Sequence, residues 1–341
     1  MMAKKRGTTD LSLMVAVDKP SGMTSHDVVN RVRRIFGERR VGHTGTLDPL
    51  ASGVLPVCIG PATRLDHYLV GHDKSYVVSI VFGAATDTDD AEGAVIRTGE
   101  VPDEVFDPFF ASAFVASLVG KSKQLPPVYS AIKVGGKKAC DEARRGRIID
   151  LTPRDIKVSS AELLGIWGAD GTEPPRWDVA FTVSAGTYIR SLARDMGNTL
   201  GCPAHVGALR RTAVGAIALD ECVSLETLED IGLAAALDPL RALGCRFAYL
   251  DDAAAARVRN GNPLPARALS LCERRSSDAA SELCACTAGV RESCKPPEDD
   301  EIVALVYDNR VIALYAYRAD RDQFASRCVF PIGVIRGYCD L

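Results

Sequence analysis

Residues 42–56, Gly-His-Thr-Gly-Thr-Leu-Asp-Pro-Leu-Ala-Ser-Gly-Val-Leu-Pro, cannot be a regular helix or the middle of a sheet. A run this rich in Gly, Pro and Thr is built from turns, because Gly supplies positive φ angles and Pro fixes φ and removes a donor. The apolar residues from Gly53 to Ile59 read as the buried strand or helix start that anchors this loop. Asp48 is the only carboxylate between Arg40 and Arg64. It is therefore a candidate for chemistry, at this point as nucleophile, general base or metal ligand.

The chain has 341 residues, enough for a substantial core and a second, smaller domain. Its 47% apolar and 25% charged residues belong to an ordinary globular protein rather than a disordered or fibrous one. The N-terminal apolar run, 11–17, is too short to span a bilayer and meets Asp18-Lys19-Pro20 instead of a small-residue cleavage site. A cytoplasmic protein without membrane attachment is expected. Eleven cysteines, an odd number and mostly without paired spacing, are expected to be reduced thiols.

A net charge of -3 excludes a uniformly basic nucleic-acid binder, but the charge is unevenly distributed. Residues 121–147 hold eight Lys or Arg against Asp141 and Glu142. Arg31, Arg33, Arg34, Arg39 and Arg40 form a second cluster, and Arg190, Arg194, Arg210 and Arg211 a third. Patches, rather than totals, decide phosphate binding.

Periodicity predicts a helix over 24–36, capped by Thr24 or Ser25 and ended by Gly37. A strand is predicted over 74–82, with Tyr76, Val78, Ile80 and Phe82 on one face. A helix is expected over 105–118, broken by residues 124–130, and the basic segment to about 150 reads as an inserted subdomain. Another strand is predicted over 177–184. After Gly186, Thr187 can cap a helix over 188–200 that Gly201 closes.

Arg190 falls in the first turn of that helix, off its apolar stripe. The macrodipole disfavours a cation there, so an external anion or an ion-pair partner is implied, and Asp48 is the natural one. Beyond residue 240 short strands are predicted over 302–307, 311–317 and 328–332, forming a small separate β-rich domain. Residues 270–300 lack periodicity and read as a disordered insertion.

Other chemistries fit poorly. Cys272, Cys284, Cys286 and Cys294 have one close pair, with a single intervening residue and no nearby histidine, which is not zinc-ligand spacing. Residues 87–93 open like a calcium loop but carry Glu92 where its glycine belongs. They remain an acidic turn, either solvated or shaping a site rim. Phosphate-loop and HExxH signatures are absent, so neither a cofactor nor a metal is expected. A lone carboxylate does not match glycoside hydrolysis, which ordinarily needs a pair, but suits cleavage of a glycosidic bond without water.

Several ordered motifs resemble the bacterial tRNA pseudouridine synthases of the TruB type. They comprise Asp18-Lys19-Pro20-Ser21-Gly22-Met23-Thr24-Ser25, the loop around Asp48, Lys74-Ser75-Tyr76, and residues 124–133 (Gln-Leu-Pro-Pro-Val-Tyr-Ser-Ala-Ile-Lys). Gly186-Thr187-Tyr188-Ile189-Arg190-Ser191-Leu192 and residues 204–211 complete the set.

The resemblance implies an α/β (α+β) pseudouridine synthase fold with a mixed, largely antiparallel central sheet. The catalytic domain would span 11–240, with an inserted RNA-clamping segment at about 105–150. A PUA-like β domain would span 245–341, interrupted at about 270–300. The implied reaction is isomerisation of uridine to pseudouridine at position 55 in the T loop of tRNA, by a stand-alone enzyme that is a monomer and needs no protein partner.

Carried over residue by residue, Asp48 is the essential catalytic group and Tyr76 stacks on the base and is implicated in deprotonating C5. Arg190 pairs with Asp48, Leu209 lies beneath the base, and His43 helps hold the flipped-out loop. Lys133, Lys137, Lys138, Arg144 and Arg145 would clamp the T-arm backbone. The alternative function from another class is an RNA-binding or RNA-folding protein in which catalysis is secondary.

Overall fold

The computed structural model describes residues 9–130, 132–135, 137–143, 145–147, 150–274, 290–293 and 295–337. The main sheet is assembled from β1 (Leu13–Lys19), β2 (Ser52–Ile59), β3 (Lys74–Phe82), β4 (Gly120–Gln124), β5 (Arg154–Trp167), β6 (Arg176–Val183) and β7 (Ala204–Val214). Their spatial order is β1-β2-β7-β3-β6-β5-β4. Every neighbouring pair is antiparallel except β2 and β7, so the sheet is mixed and largely antiparallel, as expected.

The parallel contact is very close. A Cβ on Gly53 (φ 102°) would meet the Arg211 carbonyl oxygen at 2.1 Å, so only glycine lets β7 approach the end of the Asp48 loop here.

Three helices frame the site. Helix α1 (Ser25–Phe36) starts with a reciprocal Thr24/Asp27 capping box and ends on Gly37 in the left-handed conformation. Its Val28, Val29, Val32 and Phe36 enter the main core, beside the alternating Tyr76, Val78, Ile80 and Phe82 of β3. Helix α2 (Pro108–Ser117) is shorter than the continuous helix expected over 105–118. Asp107 caps it and Pro108 occupies its first turn, while residues Asp103–Phe106 form a separate 3₁₀ turn. Helix α3 (Ile189–Leu200) begins after Tyr188 rather than Thr187, whose hydroxyl instead lies 3.3 Å from that of Ser184.

The segment at about 105–150, expected as an insert, is not set apart over its whole length. Val105, Ala111 and Val115 belong to the main core, and β4 is the edge strand of the main sheet. Strand β4 is a solvated edge and β5 is interrupted by register shifts at Val158/Ser160 and Leu163/Gly165, which hides both from periodicity.

Trp177 of β6 anchors α2 to the sheet: fully buried, it packs edge-on to Phe82 and Phe114 and donates from Nε1 to the Val105 carbonyl at 2.8 Å. Trp177→Phe should cost about 1–3 kcal/mol, because a buried carbonyl loses its donor. Urea unfolding checks this, expecting a lower midpoint at constant slope.

The second sheet has the order Leu264–Pro265, Gln323–Ile335, Arg310–Arg318, Ile302–Tyr307, Phe247–Tyr249, Cys272–Arg274, Val290–Glu292. Asp308 and Asn309, both at positive φ, make its tight hairpin turn. This β-rich unit is not separate. Met14, Ala16, Val54 and Cys58 on the back of β1 and β2 share one apolar core with Phe247, Val306, Phe330 and Val334. A backbone bond also joins the units, from Ile335 N to Ser12 O at 2.9 Å.

The ends of the insertion expected as disordered pair as antiparallel strands, Cys272 with Glu292 and Arg274 with Val290. Residues 275–289 and Cys294 lie outside the described residues, and with them the expectations for Cys284, Cys286 and Cys294. No helix among the described residues is long and apolar enough to cross a membrane.

Candidate active site

The loop carrying Asp48 is held from three sides. Ser25, the first residue of α1, accepts from Leu47 N at 2.8 Å and donates to Leu47 O at 3.0 Å. Lys19, at the end of β1 and fully buried, points its ammonium at the carbonyls of Pro20 (2.9 Å), Met23 (2.5 Å) and Pro49 (3.3 Å). Burial brings the pKa of Lys19 down to about 8. From β7, Arg211 donates to Gly45 O at 3.1 Å and Val54 O at 2.7 Å, bridging the loop and the strand after it.

Arg190 meets Asp48 as its position at the helix start implied. Its Nε lies 2.9 Å from Asp48 Oδ2, and one terminal nitrogen donates to Oδ1 at 3.1 Å. The guanidinium also donates to the carbonyls of Thr88 (2.9 Å) and Tyr129 (3.0 Å) and lies 3.4 Å from Asp90 Oδ2. Only 5% exposed, it is a buried hub whose terminal nitrogens make three hydrogen bonds, while Nε contacts Asp48 as an ion pair without hydrogen-bond geometry. Burial pushes the Asp48 carboxyl above the usual carboxylate range; Arg190 opposes the rise and Asp90 adds to it.

Asp48 opens on a cavity of about 510 Å³, within the range of ligand-sized clefts. Tyr76, Tyr129, Tyr188, Arg190 and Leu209 share its wall. The cavity thus gathers Asp48, Tyr76, Arg190 and Leu209 from four distant parts of the chain. Burial raises the Tyr76 phenol's pKa, and the Arg211 guanidinium beside it counters the rise.

His43 is outside this wall. It sits on the short strand Val41–His43, where its Nδ1 accepts from Gly45 N at 3.3 Å and shapes the turn before Asp48. Burial, assisted by the Arg211 charge, lowers its pKa.

The expected clamp residues Lys133, Lys137 and Lys138 lie on a two-stranded hairpin, Lys133–Val134 with Lys137–Lys138. Arg144 lies outside the described residues. Arg145 is not a free cation, because it pairs at 2.8 Å with Glu142, a buried carboxylate that Arg147 also approaches at 3.0 Å. A carboxylate taken out of water requires such partners. The root of this segment is tied to α3: Gln124 accepts from Tyr188 N at 2.9 Å and donates to Tyr188 O at 3.1 Å, and Ser191 donates to Leu125 O at 2.9 Å.

Sequence reasoning missed Lys19, Ser25, Asp90 and Arg211 as parts of the site. Asp90 corrects the idea that Asp48 is an isolated carboxylate. Its turn reads in sequence as solvated or rim-forming, yet Asp90 is 3% exposed and shares Arg190 with Asp48. The turn is drawn inward by backbone bonds with Val206, to Asp89 O at 3.0 Å and from Ala91 N at 2.8 Å.

This architecture is a pseudouridine synthase fold. The crystal structure of a Cbf5-Nop10-Gar1 complex superposes with a TM-score of 0.65 over 94% of this chain and 85% of that one, at 24% identity. An H/ACA RNP bound to a substrate RNA containing 2′-deoxyuridine gives a TM-score of 0.62 over 94% and 85%, at 22% identity.

The chain belongs to the TruB family of pseudouridylate synthases, and its chemistry is an isomerase's: residues 33–189 match the family's N-terminal domain and residues 190–244 the tRNA pseudouridylate synthase B C-terminal domain. The tRNA pseudouridine synthase B of Mycobacteroides abscessus is 46% identical over 255 residues, 74% of this chain and 84% of that protein. Its counterpart in Mycobacterium tuberculosis H37Rv is 45% identical over 254 residues, with the same coverage.

Proposed function

We propose that the protein converts uridine to pseudouridine at position 55 in the T loop of tRNA, as a monomer in the cytoplasm and without a protein partner. The observation that carries this reading is the Asp48–Arg190 pair at 2.9 Å on the wall of a nucleoside-sized cavity that also holds Tyr76 and Leu209. The target base must leave its stack to reach such a site, and stacking on Tyr76 above Leu209 offsets the lost stacking.

Ionised Asp48 then attacks C1′ or removes the 2′ proton; either route breaks the N1–C1′ bond, with the bonding electrons leaving on uracil. The detached uracil anion rotates in place and its C5 bonds to C1′, which breaks the Asp48–C1′ ester on the first route or goes with return of the 2′ proton from Asp48 on the second; C5 then loses its proton and N1 gains one, with Tyr76 in the same wall beside the base. Arg190 keeps Asp48 charged despite its burial. Once occupied by the flipped nucleotide, the cavity holds the uracil and loses its water, which would otherwise hydrolyse the intermediate. The hairpin bearing Lys133, Lys137 and Lys138 serves as the backbone clamp, positioning RNA without reading its sequence.

The test is incubation of the wild-type protein with a tRNA transcript, followed by mapping of pseudouridine. One modified residue is expected, at position 55, and none in a transcript with cytidine there. A product elsewhere would overturn the position. Binding or refolding of tRNA with no product would instead favour an RNA-folding protein.

A further inference from the structure

A second groove, of about 590 Å³, lies at the β4 edge of the main sheet and is lined by Lys121, Ser122, Lys123, residues 155–157 (Asp-Ile-Lys) and Ser184. The strand register sets its charges. Lys121 is paired directly opposite Lys157, and Lys123 opposite Asp155. Directly opposed residues project from the same face of a sheet, and residues two apart share it as well. Lys121, Lys123, Lys157 and Asp155 therefore crowd one face, whereas Ile156, one residue out of phase, turns into the core.

Of the three lysines, only Lys123 has a carboxylate, Asp155 at 3.3 Å. Lys121 and Lys157 have no ion-pair partner among the described residues. Like charges placed directly across two strands are destabilising, so this pair costs the fold something and gives it nothing. An anion seated between them would reverse the sign of that interaction.

The groove also adjoins the catalytic cavity. Ser184 lines the groove, and Ala185, Gly186, Thr187 and Tyr188, the next four residues of the chain, line the cavity. Ser184 is fixed at this junction, since its Oγ accepts from Lys157 N at 2.9 Å and its own N donates to Lys157 O at 2.8 Å. The charge of Arg154, paired opposite Gln124 at the same edge, is felt by the Tyr188 phenol within the cavity wall. By the same register Arg154 lies on the Ile156 face of β5, opposite the lysines, so the link from groove to cavity is the segment from Ser184 to Tyr188.

We infer that this groove is a second phosphate-binding track, in which Lys121 and Lys157 hold the sugar-phosphate backbone of the RNA strand whose nucleotide occupies the cavity. It is separate from the hairpin bearing Lys133, Lys137 and Lys138. The inference rests on the proposed RNA substrate, and it assigns the strand's path beside the flipped nucleotide to the β4 edge.

The experiment measures tRNA binding against salt for the wild type and for the double variant Lys121→Ala/Lys157→Ala, with Lys121→Arg/Lys157→Arg as the charge-conserving control. Two lost phosphate contacts should flatten the log-log slope by about 1.4–1.8. The arginine variant should keep the wild-type slope. Phosphate-ethylation interference should show two positions that block wild-type binding and no longer matter to the alanine variant.

A slope unchanged in the alanine variant, or interference sites that persist in it, would overturn the track. So would a variant that binds RNA normally but loses an acidic protein partner. Failure of the RNA-isomerase reading is seen separately, as a wild type that forms no pseudouridine; the binding slopes are read from the same tRNA without any turnover.

Discussion

Asp48→Asn is expected to abolish pseudouridine formation, by roughly 10³-fold or more in single-turnover rate, because the amide can neither attack C1′ nor accept the 2′ proton. The same variant should not lose stability. The Asp48 pKa is raised in the folded state, chiefly by burial, so its ionisation opposes folding. The sign follows from linkage: the folded protein binds this proton more tightly than the unfolded chain, and this contribution to stability is lost as pH rises through the folded pKa. At neutral pH the wild type bears that cost and the Asn variant does not, while an Asn oxygen can still accept from Arg190. Urea unfolding at pH 7 should give a midpoint at or above that of the wild type. Normal pseudouridine yield from Asp48→Asn would end the proposed mechanism, and a clear drop in midpoint would show that the carboxylate is a structural group.

Arg190→Met is expected to damage both activity and stability. It leaves Asp90, which is buried, and Asp48, 35% of whose side chain faces the cavity, without their shared cation, and it frees the Thr88 and Tyr129 carbonyls. Removing one partner of a buried ion pair costs about 3–5 kcal/mol, and solvent reaching Asp48 puts the expectation near the lower end. Without the guanidinium the Asp48 pKa rises further, so the acid limb of the pH–rate profile should move to higher pH. Arg190→Lys should recover part of the stability and little of the rate, since one ammonium cannot meet two carboxylates and two carbonyls with a planar fork. A pH profile unchanged in Arg190→Met would exclude Arg190 as the group that keeps Asp48 charged.

Much of the frame was legible in the chain. Strand β3 alternates cleanly, and α1 carries its capping box and terminal glycine, so both elements follow from local rules. The partnership of Asp48 and Arg190 was also readable, because a charge in a turn-rich loop and a cation at an unfavourable helix end each call for a partner. The edge strand β4 and the bulged β5 were not, since a solvated edge has no reason to alternate and a bulge shifts the period. Nor was the joint core beneath the second sheet, because the apolar backs of β1 and β2 do not say which later strands cover them.

The sequence by itself determined the turn-rich loop around Asp48, the identity of its one acid and the motifs that mark the family. Only the tertiary structure decided that Asp90 stands beside that acid through Arg190, that Lys19, Ser25 and Arg211 hold the loop, and that Lys121 faces Lys157. These depend on strand register and on packing between segments far apart in the chain. Local propensity acts over a few residues, whereas burial and register are set by the whole sheet once it closes.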